Sequence, residues 1–163
     1  ELICRTPLDF AVRHIEGVTY PIEGDYAEYA LFEFSDAHVG SGMQEALEHF
    51  LESAFENGQA LDAVIAQSEV QRNDLWRIRE GVVLAQAFEG GSIKHDISVP
   101  VSRMPEFIQR ANTAVEALIP GVWPVVFSHF GDGNLPYNYH QPQNVTAEFF
   151  VARWSEVKKW CMI

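Results

Sequence analysis

Residues 127–138, Phe-Ser-His-Phe-Gly-Asp-Gly-Asn-Leu-Pro-Tyr-Asn, hold the densest run of side chains able to grip an ion or a polar substrate. His129 offers an imidazole, Asp132 a carboxylate, and Asn134 and Asn138 amides. An apolar run at 122–127 arrives as a buried strand does. The Asp132-Gly133 pair can adopt the positive φ angles of a tight hairpin turn, and an aromatic-rich strand at 135–139 then leaves. A two-residue loop at Asp132 and Gly133 pairs His129 with Pro136 and Phe127 with Asn138. Side chains alternate faces along a strand, so His129, Pro136 and Asn138 share one face. Directly opposed Cβ atoms lie about 4.5–5.5 Å apart, close enough for two side chains to hold one group. One of those gripping positions is a proline. Asp132 and Asn134 read equally well as turn chemistry.

Other candidates are weaker by pattern alone. Arg79, on a half-apolar helix, reads as a surface arginine with a packed stem, and Lys94 as a strand-edge lysine facing water. His95 has the opposite strand phase to Lys94 and reads as a packed histidine. His14, His38 and His49 are scattered without metal-ligand spacing. A cation held by His129 alone would bind weakly, because transition-metal sites take three or four ligands. His140 lies on the right face but four residues past Pro136, roughly 13 Å along a strand. Pro136 also lacks the N–H of a central strand, so a bulge or an edge is expected there.

The elements that must position these residues follow from periodicity. Residues 1–27 have no strong period and read as an irregular lead-in. Residues 28–34 alternate as a strand, and 36–42 form a loop. Leu47, Phe50, Leu51, Ala54 and Phe55 recur at helical spacing over 43–56, and Asn57-Gly58 ends that helix. Residues 61–67 read as a strand. Ser68-x-x-Gln71 is a capping box for a helix reaching about residue 88. A strand at 92–99, a helix at 104–118, the hairpin, and a last helix opened by Thr146 complete the order. This pattern is α+β, with helices packed on one face of a largely antiparallel sheet.

At 163 residues the chain reads as one domain, 1–163, with 47% hydrophobic and 21% charged residues. With 23 acidic against 11 basic residues, the net charge of −12 argues against nucleic acid and against an anionic membrane surface. No apolar run reaches membrane-spanning length and no signal sequence opens the chain. Cys4 and Cys161 read as free thiols, which suggests a reducing cytoplasm. The chain starts at Glu1 without a methionine and stops inside a helix, so a piece of a longer polypeptide is expected.

Several ordered motifs resemble the C-terminal, substrate-capping domain of FAD-linked oxidases, the family of D-2-hydroxyglutarate dehydrogenase, D-lactate dehydrogenase and glycolate oxidase. His-Phe-Gly-Asp-Gly-Asn-Leu-Pro-Tyr-Asn at 129–138 resembles that family's His-x-Gly-Asp-Gly-Asn-(Leu/Val)-His, whose two histidines hold a divalent metal. His129 matches the first, and Pro136 stands at the second. Leu-Trp-Arg-Ile-Arg-Glu at 75–80 is similar to Leu-Trp-x-Leu-Arg-Glu, whose arginine binds the substrate carboxylate and corresponds to Arg79. Lys-His-Asp-Ile-Ser-Val-Pro at 94–100 is similar to Lys-x-Asp-x-Ser-(Leu/Val)-Pro, which makes Lys94 a second cationic contact. Asn138 matches a substrate-side asparagine. Two cations converging on one pocket would be a local exception in so acidic a chain, and an anionic substrate requires one.

The resemblance implies a ferredoxin-like α/β sandwich and an FAD-dependent oxidation of a D-2-hydroxy acid (lactate, glycolate or 2-hydroxyglutarate class) to the 2-oxo acid, with hydride passing to the flavin. It implies FAD held by a preceding flavin-binding domain, with zinc or manganese at His129 weakened by Pro136. The family's metal-ligand glutamate and the catalytic-base histidine that follows it are expected beyond residue 163, so no catalytic residue is assigned here. The expected partners are a small anionic 2-hydroxy acid and the flavin domain of the same polypeptide, with a homodimer left open. The isolated chain is expected to be colourless and inactive. The alternative is a non-catalytic ligand-binding or interaction module. A metal hydrolase is disfavoured by the missing ligands.

Overall fold

The computed structural model describes residues 1–35 and 42–161. The loop expected at 36–42 therefore falls almost wholly outside the described residues, as does His38. The sheet has six strands: β1 (Leu2–Cys4), β2 (Glu28–Ala30), β3 (Ser92–Ile93), β4 (Asp96–Ser98), β5 (Trp123–Ser128) and β6 (Asn134–His140). Their order is β2-β1-β5-β6, with β3 and β4 both on the far side of β6, and every pairing is antiparallel. Among the described residues six α-helices accompany it: α1 (Arg5–His14), α2 (Met43–Glu56), α3 (Glu69–Ala85), α4 (Met104–Leu118), α5 (Ala147–Ala152) and α6 (Trp154–Cys161).

The α+β class and the antiparallel sheet are as expected, but the helices occupy both faces. Alternation along β5 is the cause, because that strand is apolar on both sides, whereas β6 turns Leu135, Tyr137 and Tyr139 to one side and Asn134, Pro136, Asn138 and His140 to the other. Val126, Leu135, Tyr137 and Tyr139 pack with Met104, Ala111 and Val115 of α4, Phe150 of α5 and Val157 of α6. Val125 and Phe127 point the other way, onto Leu8, Phe10 and Ala11 of α1 and Ile78, Val82 and Ala85 of α3. Gly81 lets α1 and α3 approach closely, since a Cβ there would sit 3.3 Å from Ile15 and 3.6 Å from Ala11.

The lead-in expected to be irregular instead supplies β1 and α1. Pro7 falls in the first turn of α1, where a proline costs no helical hydrogen bond. Leu8, Ala11, Val12 and Ile15 then recur at helical spacing. The strand expected at 28–34 is paired only over Glu28–Ala30. No strand forms at 61–67; with no neighbouring ladder to join, the segment runs along an apolar groove of about 1070 Å³ between α2, residues 28–34 and α3. α2, α3 and α4 occupy the expected spans, and Ser68 Oγ accepts the Gln71 N–H at 3.2 Å. Gln71 Oε1 answers from the Gln67 N–H at 2.6 Å, one residue earlier than a capping box requires.

Candidate functional site

The hairpin at the site has a longer loop than two residues. Val126 pairs with Tyr137 and His129 bridges to Asn134, so Phe130, Gly131, Asp132 and Gly133 form the connection. This shifts the expected register by two residues, which leaves every side chain on its expected face because the strand period is two. His129, Pro136 and Asn138 therefore still share a face. Continuous pairing of β5 with β6 lapses beyond Tyr137, next to Pro136, a residue with no N–H to donate.

Asp132 and Asn134 serve the turn. Asp132 Oδ1 accepts the Asn134 N–H at 2.9 Å, and Asn134 Nδ2 donates to Asp96 Oδ1 at 2.8 Å, tying the loop to β4. Gly133, at φ 83°, gives its carbonyl to the Val99 N–H at 2.9 Å.

β1 lies beside β5 with Leu2 opposite Ser128 and Ile3 opposite Phe127. One step further in that register, Glu1 stands opposite His129. The backbone of Glu1 is held by two hydrogen bonds with Leu31, at 2.8 and 2.9 Å. Its carboxylate meets the His129 imidazole, Oε1 to Nδ1, at 2.7 Å. The inner stripe of α3, with Ile78, Arg79 and Val82 buried, crosses this row, and buried Gln86 follows at its C-terminal end. Arg79 Nε donates to Glu1 Oε2 at 2.7 Å, its NH2 lies 3.4 Å from His129 Nε2, and its guanidinium carbon lies 5.3 Å from the centre of the Phe127 ring. The Glu1 and Arg79 side chains are 9% and 10% exposed, whereas His129 is 56% exposed. The structure thus joins Arg79 to His129, two residues singled out in the sequence, through Glu1, which was not.

Lys94 belongs to the same sheet face but is not joined to this cluster. β3 and β4 share one register on β6, so the strand expected at 92–99 is interrupted only at Lys94 and His95. That register sets Lys94 opposite Asn138, and its side chain is exposed. Asn138 is buried and committed: Nδ2 donates to Gln86 Oε1 at 2.9 Å, and Oδ1 accepts the His95 N–H at 3.2 Å. His95 is packed, as its phase suggested, with Nδ1 3.1 Å from the Tyr137 carbonyl and Nε2 buried with no hydrogen-bond partner among the described residues. Burial, opposed by that carbonyl and aided by Lys158, holds its pKa below the ordinary value.

The residues present do not fit the metal that the motif implies. Among the described residues no group of three His, Cys, Asp or Glu side chains is placed to hold an ion. At His129 one imidazole nitrogen is taken by Glu1, the other faces a guanidinium, and Pro136 offers no donor atom. Neither of the two cavities described is lined by Arg79, Lys94 or His129. One is the groove beside α2; the other, about 340 Å³, lies beneath α4 among Ser98, Arg103, Phe107, Arg110 and Trp160.

Comparison with known proteins agrees with the motifs. The family model described as FAD linked oxidases, C-terminal domain, matches residues 1–161. A D-2-hydroxyglutarate dehydrogenase of Stutzerimonas stutzeri is 36% identical over 143 residues, covering 88% of this chain and 30% of the relative. One from Xanthomonas citri pv. viticola is 34% identical over 154 residues, covering 93% and 32%. A mitochondrial D-2-hydroxyglutarate dehydrogenase of Arabidopsis thaliana is 32% identical over 140 residues, covering 85% and 24%. The chain spans less than a third of the length of these relatives. The protein belongs to the family of FAD-linked oxidase C-terminal domains.

Proposed function

We propose that this chain is the substrate-capping domain of a longer FAD-dependent oxidoreductase that oxidises a D-2-hydroxy acid, of the lactate, glycolate or 2-hydroxyglutarate class, to the 2-oxo acid. The observation that carries the reading is the 3.4 Å approach of Arg79 to His129 from elements 50 residues apart. It brings a carboxylate-binding group beside a polar group on a half-open surface. Arg79 keeps NH1 without a hydrogen bond among the described residues, and a guanidinium so fixed grips a carboxylate through two parallel hydrogen bonds. Lys94, exposed on the same sheet face, supplies a second positive charge, suited to the distal carboxylate of a diacid.

That donor set suits a small carboxylate and is too sparse for the pyrophosphate of a dinucleotide. We therefore assign FAD to the flavin-binding domain of the polypeptide. The two free cysteines fit a reducing compartment, and we place the protein in the cytoplasm. Among the described residues no helix is long and apolar enough to cross a membrane.

Steady-state kinetics of the flavin-bearing polypeptide with D-2-hydroxyglutarate and D-lactate test the proposal. Charged hydrogen bonds contribute about 1.5–3 kcal/mol each, so Arg79→Ala is expected to raise KM about tenfold to a hundredfold or more. Lys94→Ala is expected to raise KM for the diacid more than for lactate. A wild-type protein that turns over no 2-hydroxy acid, with flavin bound, would favour the non-catalytic binding module.

A further inference from the structure

We infer that Glu1 is the positioning residue of a metal-independent clamp for the 2-hydroxy acid, holding Arg79 for the substrate carboxylate and His129 Nε2 as the acceptor for the 2-hydroxyl. This rests on the reading of Arg79 as the carboxylate anchor.

Register on β5 places Glu1 opposite His129, and alternation turns both side chains toward α3. The two oxygens of one nearly buried carboxylate are then divided: Oε2 takes Arg79 Nε and Oε1 takes His129 Nδ1, each at 2.7 Å. A guanidinium has donors and no acceptor, so its contact with Nε2 requires a lone pair there. The ring proton accordingly sits on Nδ1 and points at Glu1. One carboxylate thereby fixes the rotamer of the arginine and the tautomer of the histidine.

Nε2 and the outer guanidinium N–H groups lie 3.4 Å apart, and a bound 2-hydroxyl would take the one lone pair of Nε2 in place of the NH2 contact, freeing that N–H for the carboxylate. A 2-hydroxy acid presents the complementary pair on adjacent carbons, a hydroxyl that donates and a carboxylate that accepts. His129 is half-exposed, so the acceptor edge is reachable. Divalent metals bound by paired histidines would perform the same orienting task. Here Pro136 removes the second imidazole, and Arg79 brings a fixed positive charge to the first. A cation at Nε2 would contact another cation.

Three measurements test this. In the flavin-bearing polypeptide, dialysis against a strong chelator is expected to leave KM and kcat for D-2-hydroxyglutarate unchanged. Glu1→Gln, isosteric but unable to accept at both atoms, is expected to raise KM about tenfold to a hundredfold with a much smaller change in kcat. In the 163-residue chain labelled with 15N, His129 is expected to show the Nδ1–H tautomer. Glu1→Gln should shift it toward Nε2–H, a change that general loss of stability would not produce. Activity lost on chelation and restored by zinc or manganese would overturn the proposal. So would a wild-type KM and tautomer in Glu1→Gln while Arg79→Ala raises KM, which leaves the anchor reading standing. An unchanged KM in Arg79→Ala removes both. Should Glu1→Gln fail to fold, His129→Ala at its half-exposed position carries the test, with KM raised and chelator resistance retained as the expected result.

Discussion

Asn138 Nδ2 donates to Gln86 Oε1 at 2.9 Å in the buried seam between α3 and β6, and Gln86 Nε2 passes the chain on to the Val82 carbonyl at 3.1 Å. The two side chains are 4% and 3% exposed. A buried amide deprived of its partner bears its own desolvation cost, about 1–3 kcal/mol. Asn138→Leu and Gln86→Leu are each expected to lower stability by that amount, and the double variant by less than the sum. Urea unfolding of the three variants measures the coupling. An additive pair would show that the amides do not depend on each other.

That pair also marks what the sequence could convey. Helical periodicity is sufficient for α2, α3 and α4, because four to six apolar residues repeat on one face of each. α1 shows the same signal in Leu8, Ala11, Val12 and Ile15, but Pro7 masks it unless the proline is recognised as a first-turn residue. The run at 61–67 alternates like a strand, yet a strand exists only where a neighbour offers a ladder, and pattern alone does not report neighbours. The hairpin register differs by two from that of an Asp-Gly two-residue turn because Phe130 and Gly131 join Asp132 and Gly133 in the connection. Motifs single out Arg79, Lys94, His129 and Asn138, and of these the structure joins Arg79 to His129, through Glu1. No motif marks Glu1: a lone glutamate acquires meaning only once β1 is known to lie beside β5. The commitment of Asn138 to Gln86 is likewise tertiary, since Gln86 belongs to no motif.

Stability should fall with pH earlier than carboxylate titration alone predicts. His140 is fully buried, edge-on to Phe10, and among the described residues neither ring nitrogen has a hydrogen-bond partner. Burial pushes its pKa below the ordinary 6.5 and Lys94 adds to this; the Glu89 carbonyl, which lies toward the ring without hydrogen-bond geometry, pulls the other way, as does the Glu89 charge. His95 is lowered in the same direction, again chiefly by burial. For a base with a depressed folded pKa, the unfolded chain binds more protons between the folded value and 6.5. Stability therefore rises with pH through that window and is lost as pH falls from 6.5 toward the folded values. Urea midpoints compared at about pH 7.5 and about pH 5.5 should show the loss, and His140→Leu should flatten it. A midpoint independent of pH in this range would contradict the assignment of both rings as neutral.

Both thiols should be inert. Burial, with the Glu28 charge adding to it, pushes Cys4 up to about 12, and burial pushes Cys161 up to about 11. Since the thiolate is the reactive form, neither should react at neutral pH at the rate of a free cysteine. Disulfide-exchange titration of the folded chain should label both slowly, and addition of denaturant should release two thiols at once. Rapid labelling of either in the native state would show that its side chain opens to solvent.

The two glycines of the Gly-Asp-Gly turn should respond in opposite ways. Gly131 has no atom within 4 Å of a would-be Cβ and no positive φ, so nothing in the fold requires a glycine there. Gly133 sits at φ 83° with the Val99 carbonyl oxygen 2.8 Å from the same point. A Cβ at 133 would press on backbone that is itself pinned, because the Val99 N–H bonds to the Gly133 carbonyl at 2.9 Å. Gly133→Ala is expected to cost about 1–3 kcal/mol from the strained dihedral, with the clash adding to it. It should also move the Asn134 and His129 resonances, because the turn sets their register. Gly131→Ala is expected to be neutral or slightly stabilising through the unfolded state. Thermal melts of the two variants decide the matter: equal losses would mean that the loop adopts a different turn from the one that brings His129 to Glu1.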